Sequence, residues 1–266
     1  MVARTVFGTA EEESAPQTGR MTRVDFGEDP ILGESGAVLG VWAHPDDEAY
    51  LSTNLMVAAR AAGRRVVVAT ATYGELGTPD PDAWPPDRLA QLRAWELAAS
   101  LAVVGGVEHH WLGFADGECA DTPAEAGIDA VRQLISDVQP AMIVTFGPDG
   151  MTGHPDHRTI SQWTTAAWRA AGTPGRLLYA TVTPRFHAEW QAVNDQIGLW
   201  MTGSGPVTDV DDLALVVSAE GSALDRKLVA LRAHASQTSG LIGMLGEETY
   251  RRWWATETFV AAPRLA

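Results

Sequence analysis

The sequence predicts a single α/β domain with a Rossmann-like, mostly parallel β-sheet flanked by helices in three layers. Short apolar runs alternate with longer segments of helical composition, which is the order expected of βαβ units. These runs are apolar throughout instead of alternating with polar residues, as in strands buried on both faces. The chain has 266 residues, 45% of them hydrophobic, which suits one large core.

Strands and helices alternate regularly in the first two thirds of the chain. The strands are indicated by β-branched apolar runs, and the helices by their starting and ending residues, such as Thr-Pro and Gly. In order, we expect strand 37–43, helix 49–62, strand 65–72, helix 87–103, strand 108–112, a helix opening at Thr122-Pro123, strand 141–146, helix 156–171 and strand 177–183.

The alternation loosens after this point. We expect helix 186–200, an acidic turn and a strand within 208–217, helices 223–238 and 247–254, and a closing strand at 258–260. Residues 1–36 are rich in Glu, Ser, Thr and Gly and are expected to form a partly disordered lead-in, with an added edge element near residues 24–26. Residues 37–266 are expected to form the functional domain.

Composition excludes several classes of partner. The net charge is −15, and a chain this acidic lacks the basic face that nucleic acids and anionic membranes require. No apolar run reaches the roughly 18 residues of a transmembrane helix, and the N-terminal region lacks the apolar core of a signal peptide. A single cysteine, Cys119, excludes an intrachain disulfide. We therefore expect a cytoplasmic protein with a small-molecule partner, and the sequence leaves a homo-oligomer open.

Two charged clusters share one pattern: a buried strand, a His-Pro-Asp tripeptide and a helix. They are His44-Pro45-Asp46-Asp47-Glu48 and Gly153-His154-Pro155-Asp156-His157. Open α/β sheets place their sites at the carboxyl ends of strands, so two neighbouring strands would bring both clusters together. One such cluster alone would more often be a helix start, where carboxylates are favoured. Because the pattern occurs twice, it favours a metal site.

The first cluster supplies two candidate metal ligands. His44 and Asp47 can both face one ion across a tight turn, and His157 from the second cluster is the third candidate. Two imidazoles and one carboxylate suit Zn²⁺, with Fe²⁺ or Co²⁺ as alternatives. Asp46 would then accept a proton from a metal-bound water as general base.

The second cluster supplies a candidate acid. Asp156 is expected to hold His154 and favour its charged form, which would stabilise an oxyanion or protonate a leaving amine. Together the two clusters indicate a metal hydrolase that acts on a carbonyl substrate.

These motifs resemble the LmbE-like family, also called the PIG-L deacetylase family. Further segments are similar to family patterns, namely Thr70–Glu75, Arg93–Leu97, Leu112–Gly117 and Lys227–Gln237. The resemblance implies a zinc-dependent N-deacetylase that hydrolyses the N-acetyl amide of an amino sugar or N-acetylglucosaminyl conjugate and releases acetate. It implies the same roles for His44, Asp47, His157, Asp46, His154 and Asp156.

The resemblance also implies substrate-binding residues, namely Arg93, Asp116, Glu75 and His234. An ion pair or turn cap is the alternative for Arg93 and Asp116, and a packed helix end is the alternative for His234. The sequence departs from some relatives at Thr152, where they carry a Tyr. A phenol-assisted step is therefore expected to be replaced by His154, by Tyr73 or by another group.

Two other functions remain open. The enzyme could hydrolyse a different amide, such as a thiol conjugate, and a wide apolar site mouth would favour that reading. Alternatively, the chain could be a catalytically silent, metal-dependent sugar-binding protein, although binding alone does not require Asp46 and His154. The loops at 78–86 and 200–212 are expected to determine substrate choice.

Overall fold

The computed structural model describes residues 22–24, 36–203 and 205–264 of the chain. Its strands are β1 (Thr22–Val24), β2 (Ala37–Trp42), β3 (Val66–Thr70), β4 (Val107–Trp111), β5 (Pro140–Phe146), β6 (Arg176–Thr181), β7 (Leu215–Ser218) and β8 (Thr256–Ala261). Its α-helices are α1 (Asp47–Ala61), α2 (Pro86–Val104), α3 (Ala124–Val138), α4 (Pro155–Ala170), α5 (Pro184–Ile197), α6 (Gly221–Ala233), α7 (Ala235–Leu245) and α8 (Glu247–Trp253).

The strands form one sheet in the order β1-β7-β8-β6-β5-β2-β3-β4. The five neighbouring strands β6, β5, β2, β3 and β4 are parallel to one another, and β1 is parallel to β7. Strand β8 runs antiparallel to both β6 and β7. Helices α1, α2 and α6 pack together as one group, and α3 packs on α4 as another. The predicted α/β class and the mostly parallel sheet are therefore confirmed.

Strands β2, β3 and β5 are buried along their whole length, which explains their continuous apolar sequences. From β2 the chain first builds outward through β3 and β4, and then crosses to β5 on the opposite side. The sheet order therefore reverses between β2 and β5, and such a switch point is where open α/β sheets bind ligands. Strands β2 and β5 are parallel neighbours, with Val38 opposite Met142 and Gly40 opposite Val144.

The C-terminal third differs from the prediction in one respect. The helix expected at 223–238 is divided at His234, whose backbone (φ −82°, ψ 52°) ends α6 and precedes a separate helix, α7. Helix α3 begins slightly later than expected: Pro123 is its capping position, and Thr122 Oγ1 donates to the carbonyl of Glu118 at 3.1 Å. Most of the predicted lead-in, including the edge element at 25–26, lies outside the described residues; β1 is the described part.

A buried ion pair holds α1 to the sheet. The carboxylate of Glu257 on β8 accepts the backbone N–H groups of Asn54 and Leu55 at 2.8 and 2.9 Å, in the middle of α1. Lys227 on α6 donates to the same carboxylate and to the carbonyl of Tyr50, each at 2.7 Å. Both charged side chains are 1% exposed, so neither can be hydrated if its partner is lost.

We expect Glu257→Gln to lower the free energy of unfolding by about 3–5 kcal/mol, because it leaves the Lys227 ammonium buried without a counter-charge. Urea denaturation followed by circular dichroism measures this difference. Glu108→Gln is the matched control, since Glu108 pairs with Arg65 at the same 2.7 Å but is about half exposed. That change should cost less than about 1 kcal/mol. Equal losses in the two variants would contradict the assigned importance of the buried pair.

None of the helices in the described ranges is long and apolar enough to cross a membrane.

Candidate active site

A cavity of about 500 Å³ lies at the carboxyl ends of β2 and β5 and contains both charged clusters. Its polar lining consists of His44, Asp46, Asp47, Arg93, Asp116, Thr152, His154, His157 and Gln237. A cavity of about 600 Å³ shares Tyr50, Leu51, Trp253 and Trp254 with it but contains none of the clustered histidines. The candidate catalytic residues therefore lie in the 500 Å³ cavity.

Three side chains expected to bind metal converge in this cavity. Nδ1 of His44 lies 3.1 Å from Nε2 of His157. The Asp47 carboxylate lies 3.8 Å from the first of these nitrogens and 3.4 Å from the second. The backbone N–H of His44 also donates to Asp47 at 2.8 Å, which fixes the carboxylate inside the turn.

The facing ring nitrogens of His44 and His157 need a positive charge between them. Nδ1 of His157 lies 3.1 Å from the carbonyl oxygen of Gly150, which can only accept, so the proton of a neutral His157 is on Nδ1. Nε2 of His44 lies 3.0 Å from Asp116 and 3.3 Å from Asp156, so Nε2 carries a proton as well. Two lone pairs would then face each other at 3.1 Å unless a proton or a metal ion lies between them.

The electrostatics of the cavity support the same conclusion. Burial alone lowers the pKa of His44, but hydrogen bonds to Asp116 and Asp156 outweigh it and raise this pKa to about 10. Burial, reinforced by the nearby His44, holds the pKa of His157 well below its usual value. The neutral His157 imidazole therefore lies in surroundings that favour a positive charge, as in a metal-binding site.

Other groupings of described residues also bring ligand atoms within 4.8 Å of one another. They are His44 with His154 and His157, and His44 with Asp116 and Asp156. Every arrangement uses His44, so a His/Asp metal site at this residue is chemically reasonable whichever partners complete it.

Asp46 has a strained backbone, with φ 122° and ψ −28°, a region that residues other than Gly rarely adopt. Its carboxylate lies 3.4 Å from the guanidinium of Arg93. Arg93 also donates to the carbonyls of Pro45 and Gly74, and so ties the turn after β2 to the loop after β3. Burial raises the pKa of Asp46 to about 6 although Arg93 opposes this, which suits a general base near neutral pH.

Glu48 supports the strained backbone of Asp46 through a hydrogen bond. Its carboxylate is completely buried and accepts the backbone N–H of Asp46 at 3.0 Å. The other oxygen lies 2.7 Å from Nε2 of His234 and accepts from Ser100 at 3.2 Å. His234 is also completely buried and lies outside the cavity lining, so its expected contact with substrate is wrong; its partner is Glu48.

We expect Glu48→Gln to lower kcat by about tenfold with little change in KM, since Gln replaces one accepting oxygen and loses a charge-assisted hydrogen bond. The metal content should stay the same, because the Glu48 carboxylate bonds to Asp46, Ser100 and His234 and to none of the three candidate ligands. Steady-state kinetics with metal analysis checks both. Glu96→Gln is the control: it also alters a buried carboxylate, but one that accepts from Ser236 and leaves Asp46 supported. A change in KM alone would count against this positioning role.

The expected pairing of His154 with Asp156 is wrong. The Asp156 carboxylate faces His44 and accepts the backbone N–H groups of Gly117 and Cys119 at 2.8 and 3.2 Å. Nδ1 of His154 instead accepts the backbone N–H of Asp156 at 3.2 Å, which caps α4. Burial and the nearby His44 lower the pKa of His154, which favours its neutral form over the expected cation. Because Nδ1 accepts the Asp156 N–H, the neutral ring carries its proton on Nε2 and can donate from there.

The remaining predicted substrate contacts differ in position. Asp116 and Arg93 line the cavity, although both already bind other groups: Asp116 accepts from Leu76 N–H at 2.9 Å and faces His44. Glu75 lies outside the cavity lining and accepts the backbone N–H of Asp116 at 3.0 Å. Its expected contact with substrate is therefore replaced by support of Asp116.

The cavity walls contain residues that sequence reasoning missed. Its apolar lining includes Tyr50, Leu51, Leu76, Phe146, Met151, Ile197, Leu199, Leu241, Trp253 and Trp254. Neither loop expected to determine substrate choice, 78–86 or 200–212, contributes a described residue to this lining. Tyr73, considered as a replacement for the absent phenol at Thr152, stacks on Trp111 at 4.1 Å and lies outside the cavity.

A mostly parallel α/β sheet with a buried His/Asp cluster, and with Asp46 on a strained turn at its switch point, has the arrangement of enzymes that activate water at a metal site. Comparison with known proteins narrows the class. Residues 39–168 match the family model described as PIG-L, GlcNAc-PI de-N-acetylase. The chain belongs to this PIG-L, or LmbE-like, family.

Relatives cover most of the chain. One is 1D-myo-inositol 2-acetamido-2-deoxy-alpha-D-glucopyranoside deacetylase of Acidothermus cellulolyticus, which is 34% identical over 76% of this chain and 79% of its own. In fold, the chain is similar to N,N'-diacetylchitobiose deacetylase from Pyrococcus horikoshii, with a TM-score of 0.63, 22% identity and coverage of 88% and 86% of the two chains. It is also similar to the 4-carboxy-2-hydroxymuconate hydratase GalB from Pseudomonas putida, with a TM-score of 0.58, 14% identity and coverage of 87% and 98%.

Proposed function

We propose that this enzyme is a zinc-dependent N-deacetylase that hydrolyses the N-acetyl amide of an N-acetylglucosaminyl conjugate and releases acetate. The observation that carries the proposal is the pair of facing nitrogens on His44 and His157, 3.1 Å apart beside the Asp47 carboxylate. The relative named as an inositol-linked glucosamine deacetylase supports the class of substrate. The acidic composition and the single cysteine suit the proposed cytoplasmic location.

In this proposal His44, Asp47 and His157 bind the metal. A metal on Nδ1 of His44 leaves the Nε2–H of that ring bonded to Asp116 and Asp156, as outer carboxylates commonly orient a ligand histidine. A metal on the Nε2 side would break both of these contacts. The set of two imidazoles and one carboxylate leaves a position open and suits zinc, as it would Fe²⁺ or Co²⁺.

Bound zinc would supply an acidified water and polarise the amide carbonyl. Asp46 then accepts the proton as the water oxygen bonds to the carbonyl carbon. Arg93 and Glu48 hold the Asp46 carboxylate and its backbone, so the base needs no rearrangement during the reaction.

His154 lies in the same cavity and donates a hydrogen bond from Nε2 to the amide oxygen as negative charge develops there. When the C–N bond breaks, the proton held by Asp46 passes to the nitrogen, and acetate and a free amine result. This proton path needs no phenol at position 152.

The proposal is tested by incubating the zinc-loaded enzyme with N-acetylglucosaminyl-inositol, diacetylchitobiose and N-acetylglucosamine. We expect acetate and primary amine in equal amounts from at least one conjugate. A thiol conjugate of the same sugar, incubated in parallel, tests the alternative amidase, which amine release without acetate from that conjugate would favour. Binding without release of either product would favour a silent sugar-binding protein. The absence of both binding and turnover would contradict the proposal.

A further inference from the structure

Two tyrosine hydroxyls meet beside the catalytic cavity and take no part in the proposed proton path. Tyr50 lies on α1 and Tyr250 on α8, 200 residues apart in the sequence, and their hydroxyl oxygens are 2.6 Å apart. Tyr50 lines the cavity, whereas Tyr250 is completely buried and does not. A contact of this length is a hydrogen bond, so one hydroxyl donates and the other accepts.

The surroundings of the pair decide which hydroxyl donates. Each hydroxyl has one proton, so the pair needs two acceptors and their mutual contact supplies only one. In the described part of the chain, the Tyr250 hydroxyl meets no acceptor other than Tyr50. If Tyr50 donated, the Tyr250 proton would be buried without an acceptor, which carries the desolvation cost of that group. Tyr250 therefore donates to Tyr50, and the Tyr50 proton is left free to face the cavity.

Helix α1 directs this free donor toward the catalytic residues. Tyr50 is four residues after Asp46, so the two lie on one face of the helix, a turn apart. The backbone N–H of Tyr50 donates to the Asp46 carbonyl at 3.1 Å, which fixes this spacing. Long side chains on a helix point back toward its N-terminus, and the N-terminus of α1 is the end that carries the candidate base.

The Tyr50 hydroxyl is a neutral donor in a fixed position. Burial raises the pKa of Tyr50 well above its ordinary value, and the nearby Tyr250 and Asp46 raise this pKa further. Its ring packs against Trp253 and Trp254, with ring centroids 6.3 and 5.8 Å away. The proton therefore stays on the oxygen through the ordinary pH range, and the group acts by donating a hydrogen bond.

The acceptor that suits this donor is a sugar oxygen. In the proposed reaction the two lone pairs of the amide oxygen face the metal ion and Nε2 of His154, so they are already used. The protein wall next to Tyr50 offers the carbon surfaces of Leu51, Trp253 and Trp254. A sugar presents several hydroxyl oxygens, and each can accept a hydrogen bond.

We propose that Tyr50 is a substrate-binding residue whose hydroxyl donates a hydrogen bond to one hydroxyl oxygen of the sugar. The inference rests on the proposed deacetylation and adds a residue and a contact to it. Tyr250 is a positioning residue, because its own hydrogen bond occupies the Tyr50 oxygen and turns the free proton toward the cavity. The contact holds the sugar about one helical turn from Asp46 and disfavours substrates that lack an oxygen at that point.

A variant pair tests the direction of the hydrogen bond. With the conjugate that the enzyme hydrolyses, Tyr50→Phe should lower kcat/KM about tenfold, because the donor to substrate is lost. Tyr250→Phe breaks the same tyrosine pair but keeps the free donor, so kcat/KM should stay within about threefold of the parent value. Both variants keep the aromatic ring, and thermal unfolding shows whether each is folded. Equal losses in the two variants would mean that the pair is structural and would overturn the proposal.

A substrate series identifies the sugar oxygen. The methyl β-glycosides of N-acetylglucosamine and of its 3-deoxy, 4-deoxy and 6-deoxy forms differ by one hydroxyl each. We expect one deoxy form to lose about tenfold in kcat/KM with the parent enzyme and to lose nothing further with Tyr50→Phe, since both changes remove one hydrogen bond. The other deoxy forms should lose the same factor with both enzymes. Independent losses for all three deoxy forms would overturn the contact with a sugar hydroxyl.

Binding separates this proposal from the proposed reaction. Methyl β-glucosaminide has no amide, so calorimetry with the zinc-loaded enzyme measures the contact without turnover. Tyr50→Phe should weaken its binding about tenfold, and Tyr250→Phe by less than about threefold. Weaker binding by Tyr50→Phe, without any deacetylation by the parent enzyme, would support the contact and contradict the reaction. Deacetylation by the parent enzyme, with equal binding by all three proteins, would overturn the contact alone.

Discussion

Asp46→Asn is expected to lower kcat by about 10²–10⁴-fold while the enzyme keeps its metal, since a positioned general base contributes on that scale. Asparagine preserves the size of the side chain and cannot accept a proton from water. The Arg93 guanidinium, which lies 3.4 Å from the Asp46 carboxylate, would lose a counter-charge but keep its bonds to Pro45 and Gly74. Acetate release and zinc content, measured on the same preparation, check the two halves of this expectation.

The matched control for this prediction is Asp80→Asn, in the exposed loop before α2. The Asp80 carboxylate accepts the backbone N–H of Ala83 at 3.0 Å and lies outside the cavity. Its kcat should equal that of the parent enzyme. If Asp46→Asn kept more than about one tenth of the parent kcat, another group would have to be the base.

His157→Gln is expected to weaken zinc binding by more than about 100-fold and to abolish deacetylation. Losing even an outer partner of a ligand costs about 10–100-fold in metal affinity, and losing a ligand costs more. Gln keeps a polar group near Gly150 and Thr152, so the α4 start is disturbed less than it would be by Ala. Equilibrium dialysis against zinc measures the affinity, and thermal unfolding shows whether the variant is folded.

His109→Gln is the control for ligand loss, since His109 is a half-buried histidine on β4 that bonds to Thr70 at 3.0 Å and lies outside the cavity. It should bind zinc as the parent does. A folded His157→Gln enzyme with parental zinc affinity would mean that a different set of residues binds the ion.

The fold and the meeting of the two clusters could be predicted from the sequence because both depend on strong local signals. Fully buried strands require continuous apolar runs, and β2 and β5 have them. The His-Pro-Asp pattern then places both clusters at the ends of these strands. Once β2 and β5 are parallel neighbours, His44 and His157 are close together in space.

Other features depend on contacts between distant segments, which local patterns do not encode. Asp156 was expected to bind His154, its neighbour in sequence, yet its carboxylate faces His44, which lies on a different strand end. Glu48 binds His234 across most of the chain, and this contact coincides with the break between α6 and α7. The apolar lining of the cavity likewise includes residues from α1, α5, α7 and α8, which are far apart in the sequence.

The location of the metal ion tests the central claim most directly. Crystals of the zinc-loaded enzyme, measured on both sides of the zinc absorption edge, would show the ion as an anomalous difference peak. We expect one peak bound by Nδ1 of His44, a carboxylate oxygen of Asp47 and Nε2 of His157, at about 2.0–2.2 Å from each. A peak bound by Nε2 of His44 with Asp116 and Asp156, or by His154 in place of Asp47, would contradict the account.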